Sequence, residues 1–535
     1  MPESWWKTAV IYQIYPRSFA DASGDGVGDL RGILGRLPHL VELGVDAVWL
    51  SPIFPSPMAD FGYDISDYTG VDPLFGSLAD FDTLLEAVHG HGLKLLLDFV
   101  PNHTSDRHPW FVESRASRAS ARRDWYIWRD PAPDGGPPNN WLSEFGGSAW
   151  EFDAPTGQYF YHAFLKEQPD LNWRNPAVAE AMHEVMRFWL RRGVDGFRVD
   201  VLWHLIKDDR FRDNPLNPDY RKGHPPHHRV VPLFTTDLPE VHDVVRGLRR
   251  TVDEFSGRVL IGEIYLPIER LVAYYGRDLT GVHLPFNFSL LHMQWNARAI
   301  ARLIEEYEAS LPPGGWPNWV LGNHDVPRIA GRVGREQARI AAMLLLTLRG
   351  TPTVYYGDEI AIPQVAIPVD RVQDPYEKRV PGMGRDGART PMQWDAGRYA
   401  GFSTAEPWLP LAPDHRHENV ANQSGDPSSM LNLYRRLIAA RRKHHALSLG
   451  GYRPVVAGGD LLLYVREHEG DRVLLALNLG DQPAAVSFPS DLRGIVIISV
   501  EGDRDGERIE GEIDLRGDEG LAILLAPDAV VPEAV

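Results

Sequence analysis

The sequence predicts a (β/α)8 TIM barrel with an inserted loop-rich subdomain after its third strand and a C-terminal antiparallel β domain. Three observations lead there. Short apolar runs alternate with helical patterns from the start of the chain, which implies a parallel sheet with helical crossovers. A long stretch rich in Pro, Gly, Asp and aromatics then interrupts the alternation. Late in the chain the runs become short strands separated by turns.

Ala9–Tyr15 reads as a buried strand, and Ile33–Leu43 as a helix stopped by Gly44. Val45–Leu50 is a second strand, Phe81–His91 a helix stopped at Gly92, and Leu93–Val100 a third strand. The segment from Pro101 to Leu171, with its run Pro131-Ala-Pro-Asp-Gly-Gly-Pro-Pro138, is the insertion. Helix Ala177–Arg191 and strand Gly196–Asp200 resume the alternation. Val259–Glu263, Trp319–Leu321 and Thr353–Tyr356 continue it, and eight such units would close a barrel. Ala341–Leu348 reads as a short buried helical turn. A helix over Leu431–His444 precedes strands at Leu461–Val465, Val473–Asn478, Ala485–Phe488, Ile495–Val500 and Leu521–Leu525. The predicted division is a barrel from 1–100 and 172–455, an inserted subdomain from 101–171, and a C-terminal β-sandwich from 456–535.

Composition narrows the function classes. The 535 residues carry 73 acidic and 55 basic side chains, a net charge of -18, which argues against nucleic acid and anionic lipid as partners. There is no cysteine, so disulfides, thiolate catalysis and cysteine metal sites are excluded. The start, Met1-Pro-Glu-Ser-Trp-Trp-Lys7, lacks the basic and apolar regions of a secretory leader, and no run approaches the roughly 20 apolar residues of a membrane span. A cytoplasmic protein without membrane partners is expected, as a monomer or homodimer.

Barrel enzymes carry their chemistry at the C-terminal ends of strands. Here strand three ends in Asp98-Phe-Val-Pro-Asn-His103, strand four in Gly196-Phe-Arg-Val-Asp200 with His204 following, strand five in Ile261-Gly-Glu263, and Asn323-His-Asp325 follows strand seven. A lone Asp after a strand is ordinarily a helix cap, and a lone His a satisfied core residue. Four strand ends rich in Asp, Arg, His and Glu on one rim are costly to desolvate without a purpose.

These motifs, in this order, resemble those of the α-amylase superfamily of glycoside hydrolases (family 13). Gln168-Pro-Asp-Leu-Asn172, Tyr12-Gln-Ile-Tyr-Pro-Arg-Ser-Phe19, Gly62-Tyr-Asp-Ile65 and Arg389-Thr-Pro-Met-Gln-Trp394 look like its oligo-1,6-glucosidase and α-glucosidase branch. The resemblance implies a retaining, exo-acting α-glucosidase that hydrolyses terminal α-1,6- or α-1,4-linked glucose from small α-glucosides and oligosaccharides. Asp200 would be the nucleophile, Glu263 the general acid/base and Asp325 the transition-state stabiliser. Arg198 would keep Asp200 ionised, since a nearby cation lowers a carboxylate pKa. His103 and His324 would bind the glucose, Tyr63 stack on it, and Asp64 with Arg389 close the pocket behind it.

Phe145 and Phe164 read either as substrate contacts or as ordinary packing of the insertion. Val201 reads in two ways: in the branch it resembles, Val after the nucleophile accompanies α-1,6 activity, whereas a β-branched residue also simply completes a strand. Trp203 departs from the branch's pattern by its bulk. The loop Asp21-Ala-Ser-Gly-Asp-Gly-Val-Gly-Asp29 spaces oxygen donors as Ca²⁺ loops do, with Asp21, Ser23, Asp25, the Val27 carbonyl and Asp29 as ligands; the bland alternative is a glycine-rich Asx turn. The resemblance implies a structural Ca²⁺, or Mg²⁺, there, and no organic cofactor. The rival readings are an α-glucosyltransferase or a sucrose- or trehalose-acting isomerase of the same branch, an endo-acting amylase and, more remotely, a non-catalytic binding or transporter-associated relative.

Overall fold

The computed structural model describes residues 4–488 and 492–531. The leader reading at Met1–Glu3 and the last four residues of the predicted C-terminal division lie outside them.

Eight parallel strands form one sheet: β1 Ile11–Ile14, β2 Ala47–Leu50, β3 Lys94–Phe99, β4 Gly196–Val199, β5 Val259–Gly262, β6 Leu284–Pro285, β7 Asn318–Val320 and β8 Thr351–Tyr355. Each pairs with its neighbour in sequence, β8 returns to β1, and an isolated parallel bridge between Asn287 and Trp319 closes β6 onto β7. The strands are apolar runs because both faces are buried. Alternate side chains serve different cores, as the two-residue period requires: Leu96, Val259 and Ile261 fill the barrel, while Leu95, Leu97 and Leu260 pack outward under the helices. β6 has two residues, too few to leave a periodic signal, so it was not among the predicted strands.

Most predicted elements stand within a few residues of their expected ends. The helix expected over Ile33–Leu43 is two, Leu30–Gly35 and Leu37–Leu43, broken at Arg36 because Pro38 sits in the first turn of the second. Gly44 ends that second helix with φ 89°, a left-handed cap. The turn expected at Ala341–Leu348 belongs to a longer helix, Arg335–Thr347, buried between the barrel and the C-terminal sheet.

The insertion holds a three-stranded antiparallel sheet, Trp128–Arg129, Gln158–Tyr161 and Trp150–Asp153. The C-terminal region holds a six-stranded antiparallel sheet and a separate two-stranded one, Ala484–Ser487 with Glu512–Leu515. Its first strand is Gly451–Gly458, so the boundary expected at 455/456 falls inside a strand. Among the described residues, no helix is long and apolar enough to cross a membrane.

Candidate active site

The strand period places the chemistry. On β4, Phe197 and Val199 face the outer core, so Arg198 points into the barrel, and Asp200 follows at the strand's end. Gly196 starts β4 where a Cβ would lie 2.1 Å from the Val259 carbonyl oxygen, so glycine lets β4 and β5 approach. Arg198 is the hub. One Nη1 donates to Asp98 Oδ1 at 3.0 Å and to Asp200 Oδ1 at 2.7 Å, and Nη2 lies 2.9 Å from Glu263 Oε2. The guanidinium also faces the Trp49 ring at 5.1 Å. The three carboxylates come from the ends of β3, β4 and β5.

One buried cation cannot neutralise three carboxylates, so a proton is retained in the cluster. Burial raises Glu263 to about 8 against the pull of Arg198, with Asp200 and Asp325 adding to the rise. Burial also raises Asp200, to about 7; Arg198 and a hydrogen bond from Glu263 oppose it. Arg198 thus pulls Asp200 towards its ionised form, while burial and Asp98 oppose that pull. Asp325 behaves oppositely. Burial pushes it up, but His324 at 3.2 Å, Arg389 at 3.1 Å and Arg385 at 3.4 Å hold it well below the usual range.

These groups open into a cavity of about 590 Å³. Tyr63, His103, Phe145, Phe164, Asp200, Val201, Glu263, His324 and Asp325 line it. Burial drives His103 to about 4 and His324 to about 3, so both imidazoles are neutral hydrogen-bonding groups. His103 meets Gln168 Nε2 at 3.1 Å, which ties the Gln168 segment to the wall. Tyr63 stacks on His324 at 5.3 Å and shares its hydroxyl with Asp98 and His324 Nε2. Phe145 and Phe164 pack on each other at 6.1 Å and face the cavity.

Three expected residues do not line the cavity: Arg198, held in the carboxylate hub, and Asp64 and Arg389. Asp64 is fully buried and closes its own loop, accepting from Ser56 Oγ and the amides of Ala59 and Asp60. Arg389 lies beneath Asp325, with Nε on the His324 carbonyl oxygen. Their places are taken by Asp60 and Arg385, each four residues earlier. Arg385 Nη2 meets Asp60 Oδ1 at 2.7 Å and Asp374 Oδ1 at 2.7 Å. The motif around Gly62-Tyr-Asp64 drew attention to the Asp that the preceding turn consumes: its carboxylate accepts the Ala59 and Asp60 amides, which sequence alone shows only if the turn is known. Val201 does not complete a strand either. It has φ 37° and ψ 46°, left-handed and strained for a β-branched residue, and its N–H donates to Glu263 Oε2 at 2.7 Å.

A family model described as "Alpha amylase, catalytic domain" matches residues 13–450. The chain belongs to the alpha-amylase family. A probable alpha-glucosidase of Rhizobium meliloti is 44% identical, the match covering 91% of each chain. An oligo-1,6-glucosidase of Parageobacillus thermoglucosidasius is 38% identical, over 92% of this chain and 93% of the relative. A solved alpha-glucosyl transfer enzyme, XgtA, superposes with TM-score 0.93 at 43% identity, over 98% of this chain and 100% of that one.

In this alpha-amylase family chain the loop Asp21–Asp29 closes on itself. Asp21 accepts from Ser23 Oγ and from the amides of Gly24 and Gly26, and Ser403 Oγ joins it at 2.6 Å. Asp25 accepts from the Val27 amide. Asp29 accepts from the amides of Ala22 and Ser23 and caps helix Leu30–Gly35 through Gly32 N. Among the described residues, no three His, Asp or Glu side chains converge as a ligand group. The donors remain hard oxygens on one loop, with Asp21 Oδ1 and Ser23 Oγ 3.0 Å apart.

Proposed function

We propose that this alpha-amylase family chain is a retaining α-glucosidase acting on the terminal non-reducing glucose of short α-glucosides. The observation that carries it is the Arg198 hub. It brings two carboxyls of different basicity, Asp200 and Glu263, to one guanidinium, and retaining glycosidases need two carboxyls only about 5–5.5 Å apart. Asp200 attacks the anomeric carbon while Glu263 gives its proton to the glycosidic oxygen, and the carbon–oxygen bond breaks. Glu263, now ionised, takes a proton from water, which hydrolyses the glucosyl ester and frees Asp200. Asp325, held ionised by its cations, accepts hydrogen bonds from the sugar and balances the positive charge of the oxocarbenium-like transition state.

The exo action rests on the Asp60–Arg385–Asp374 bridge, which blocks the cavity behind the glucose. Measuring glucose release from isomaltose, maltose, sucrose and trehalose, with the product anomer followed by NMR, tests both claims. α-Glucose as first product supports retention; β-glucose as first product overturns it. A preference for isomaltose fits a narrowed pocket at Val201, and a preference for maltose assigns control to Trp203 and its neighbours.

The likeness to a glucosyl transfer enzyme favours one second reading: interception of the glucosyl ester by a sugar or other hydroxyl in place of water. New glucosides outweighing free glucose at high substrate would place the chain among the transferases. For the loop Asp21–Asp29, we propose a structural Ca²⁺, or Mg²⁺, held by Asp21, Ser23, Asp25, the Val27 carbonyl and Asp29. Its hard-oxygen donor set supports this reading. The ion has no part in the reaction.

A further inference from the structure

β1 carries one polar side chain, Gln13, among apolar ones. Ile11 packs in the barrel interior, while Tyr12 and Ile14 face the outer core. The two-residue period therefore turns Gln13 inward, where it is fully buried. A buried amide is costly unless its hydrogen bonds are made. Gln13 Nε2 lies 2.9 Å from His324 Nδ1 and 3.2 Å from Ser51 Oγ. Its Oε1 meets no protein donor among the described residues, so the side chain is held by its N–H groups.

The hydrogen bonds around His324 run in one direction. Tyr63 donates its hydroxyl hydrogen to Asp98 Oδ2 at 3.1 Å. The same hydroxyl oxygen lies 2.8 Å from His324 Nε2, and with its hydrogen already committed it can only accept there. His324 Nε2 therefore carries a hydrogen. Burial keeps the imidazole neutral, so Nδ1 is bare, and Gln13 Nε2 is the donor it meets. The reverse orientation of the amide would set Oε1 against a bare nitrogen. The plane of the ring is fixed separately, by Tyr63 stacked at 5.3 Å and Tyr15 stacked at 5.8 Å.

The direction matters for Asp325, whose Oδ2 lies 3.2 Å from His324 Nε2. With hydrogen on Nε2, the imidazole turns a donor towards this carboxylate and the cavity. With hydrogen on Nδ1, a lone pair would face the carboxylate and disfavour its ionised form. Gln13 itself neither lines the cavity nor joins the Arg198 hub. We propose that Gln13 is a positioning residue of this active site: its amide fixes which nitrogen of His324 carries the hydrogen, and so keeps an uncharged donor turned towards Asp325 and the glucose. The proposal rests on the α-glucosidase reading.

The test uses Gln13→Met, which nearly keeps the volume and removes the donor, and His324→Leu, alone and combined with Gln13→Met, all in the full-length protein. Gln13→Met is expected to lower kcat on maltose about tenfold and to change KM about twofold or less, because the lost effect reaches the transition state through Asp325. The double variant should be no slower than His324→Leu alone. The imidazole ¹⁵N resonances of histidine-labelled protein give a readout apart from activity, with His324 assigned by its loss in His324→Leu. Wild type should show a bare Nδ1 and a protonated Nε2, and Gln13→Met should gain a second population with the hydrogen on Nδ1. A wild-type His324 protonated on Nδ1, an unchanged tautomer or kcat in Gln13→Met, or losses that multiply in the double variant would each overturn the proposal. A wild type that releases glucose from no α-glucoside sinks the α-glucosidase reading instead, and the nitrogen resonances then decide the role of Gln13 by themselves.

Discussion

The floor of the cavity and its rim are built on opposite principles. Floor groups sit at the ends of barrel strands and, apart from half-exposed Asp325, are buried: Asp98 is 0% exposed, Arg198 1%, His324 2% and Glu263 4%. Each is tied to at least one other ionisable group. The rim is assembled from the insertion and the loop between β4 and β5, it is aromatic and neutral in character, and the Glu144 side chain keeps 32% exposure. A rigid charged floor suits a reaction that needs electrostatics prepared before substrate arrives. A rim carried on loops can change its shape without disturbing that floor. The two regions therefore answer to different perturbations.

The largest expected effect is at the floor. Asp200→Ala should lower kcat by about 10⁴-fold or more while leaving the circular dichroism spectrum intact. An active variant would break both the mechanism and the contrast. Glu263→Gln comes next, with a loss of about 10²–10⁴-fold on disaccharides.

The pH profile has a definite sign. The reaction needs Asp200 ionised and Glu263 protonated, so kcat/KM should rise through about pH 7 as the pair loses its first proton and fall through about pH 8 as it loses the second. Glu263→Gln, assayed with a glucoside whose leaving group needs no proton, should lose the alkaline fall. A wild-type profile flat from pH 6 to 9 would refute the assignment.

A second pair of variants sharpens the line between floor and scaffold. Arg385→Ala strands the buried Asp60 and Asp374 carboxylates, and should cost about 3–5 kcal/mol of stability together with roughly 10²-fold in kcat/KM. Asp64→Ala removes the acceptor of three loop hydrogen bonds. It should cost about 1–3 kcal/mol, read as a lower Tm, with KM for maltose little changed. If Asp64→Ala raised KM as strongly as Arg385→Ala, the correction from Asp64 to Asp60 would be wrong. The smallest effect concerns the loop Asp21–Asp29: Ca²⁺ should raise Tm by about 1–3 °C over chelated protein and leave kcat unchanged. Identical melting with and without Ca²⁺ would remove the ion from the loop.

Seven of the eight barrel strands and the four polar strand ends were legible in the chain, because a two-residue period and a charged terminus are local properties; two-residue β6 was not. The pairing of Gln13 with His324, 311 positions apart, carried no such signal; Gln13 stood only within the motif Tyr12–Phe19. The sequence by itself determined which residues point into the barrel: Arg198 and Asp200 share a face because they are two apart on one strand. Tertiary structure decided which of two nearby acids meets the cavity, Asp60 or Asp64, and which of two nearby cations, Arg385 or Arg389. It also decided where the proton resides. Burial and Coulomb coupling sum over every neighbour within several ångströms, and those neighbours come from four different strand ends.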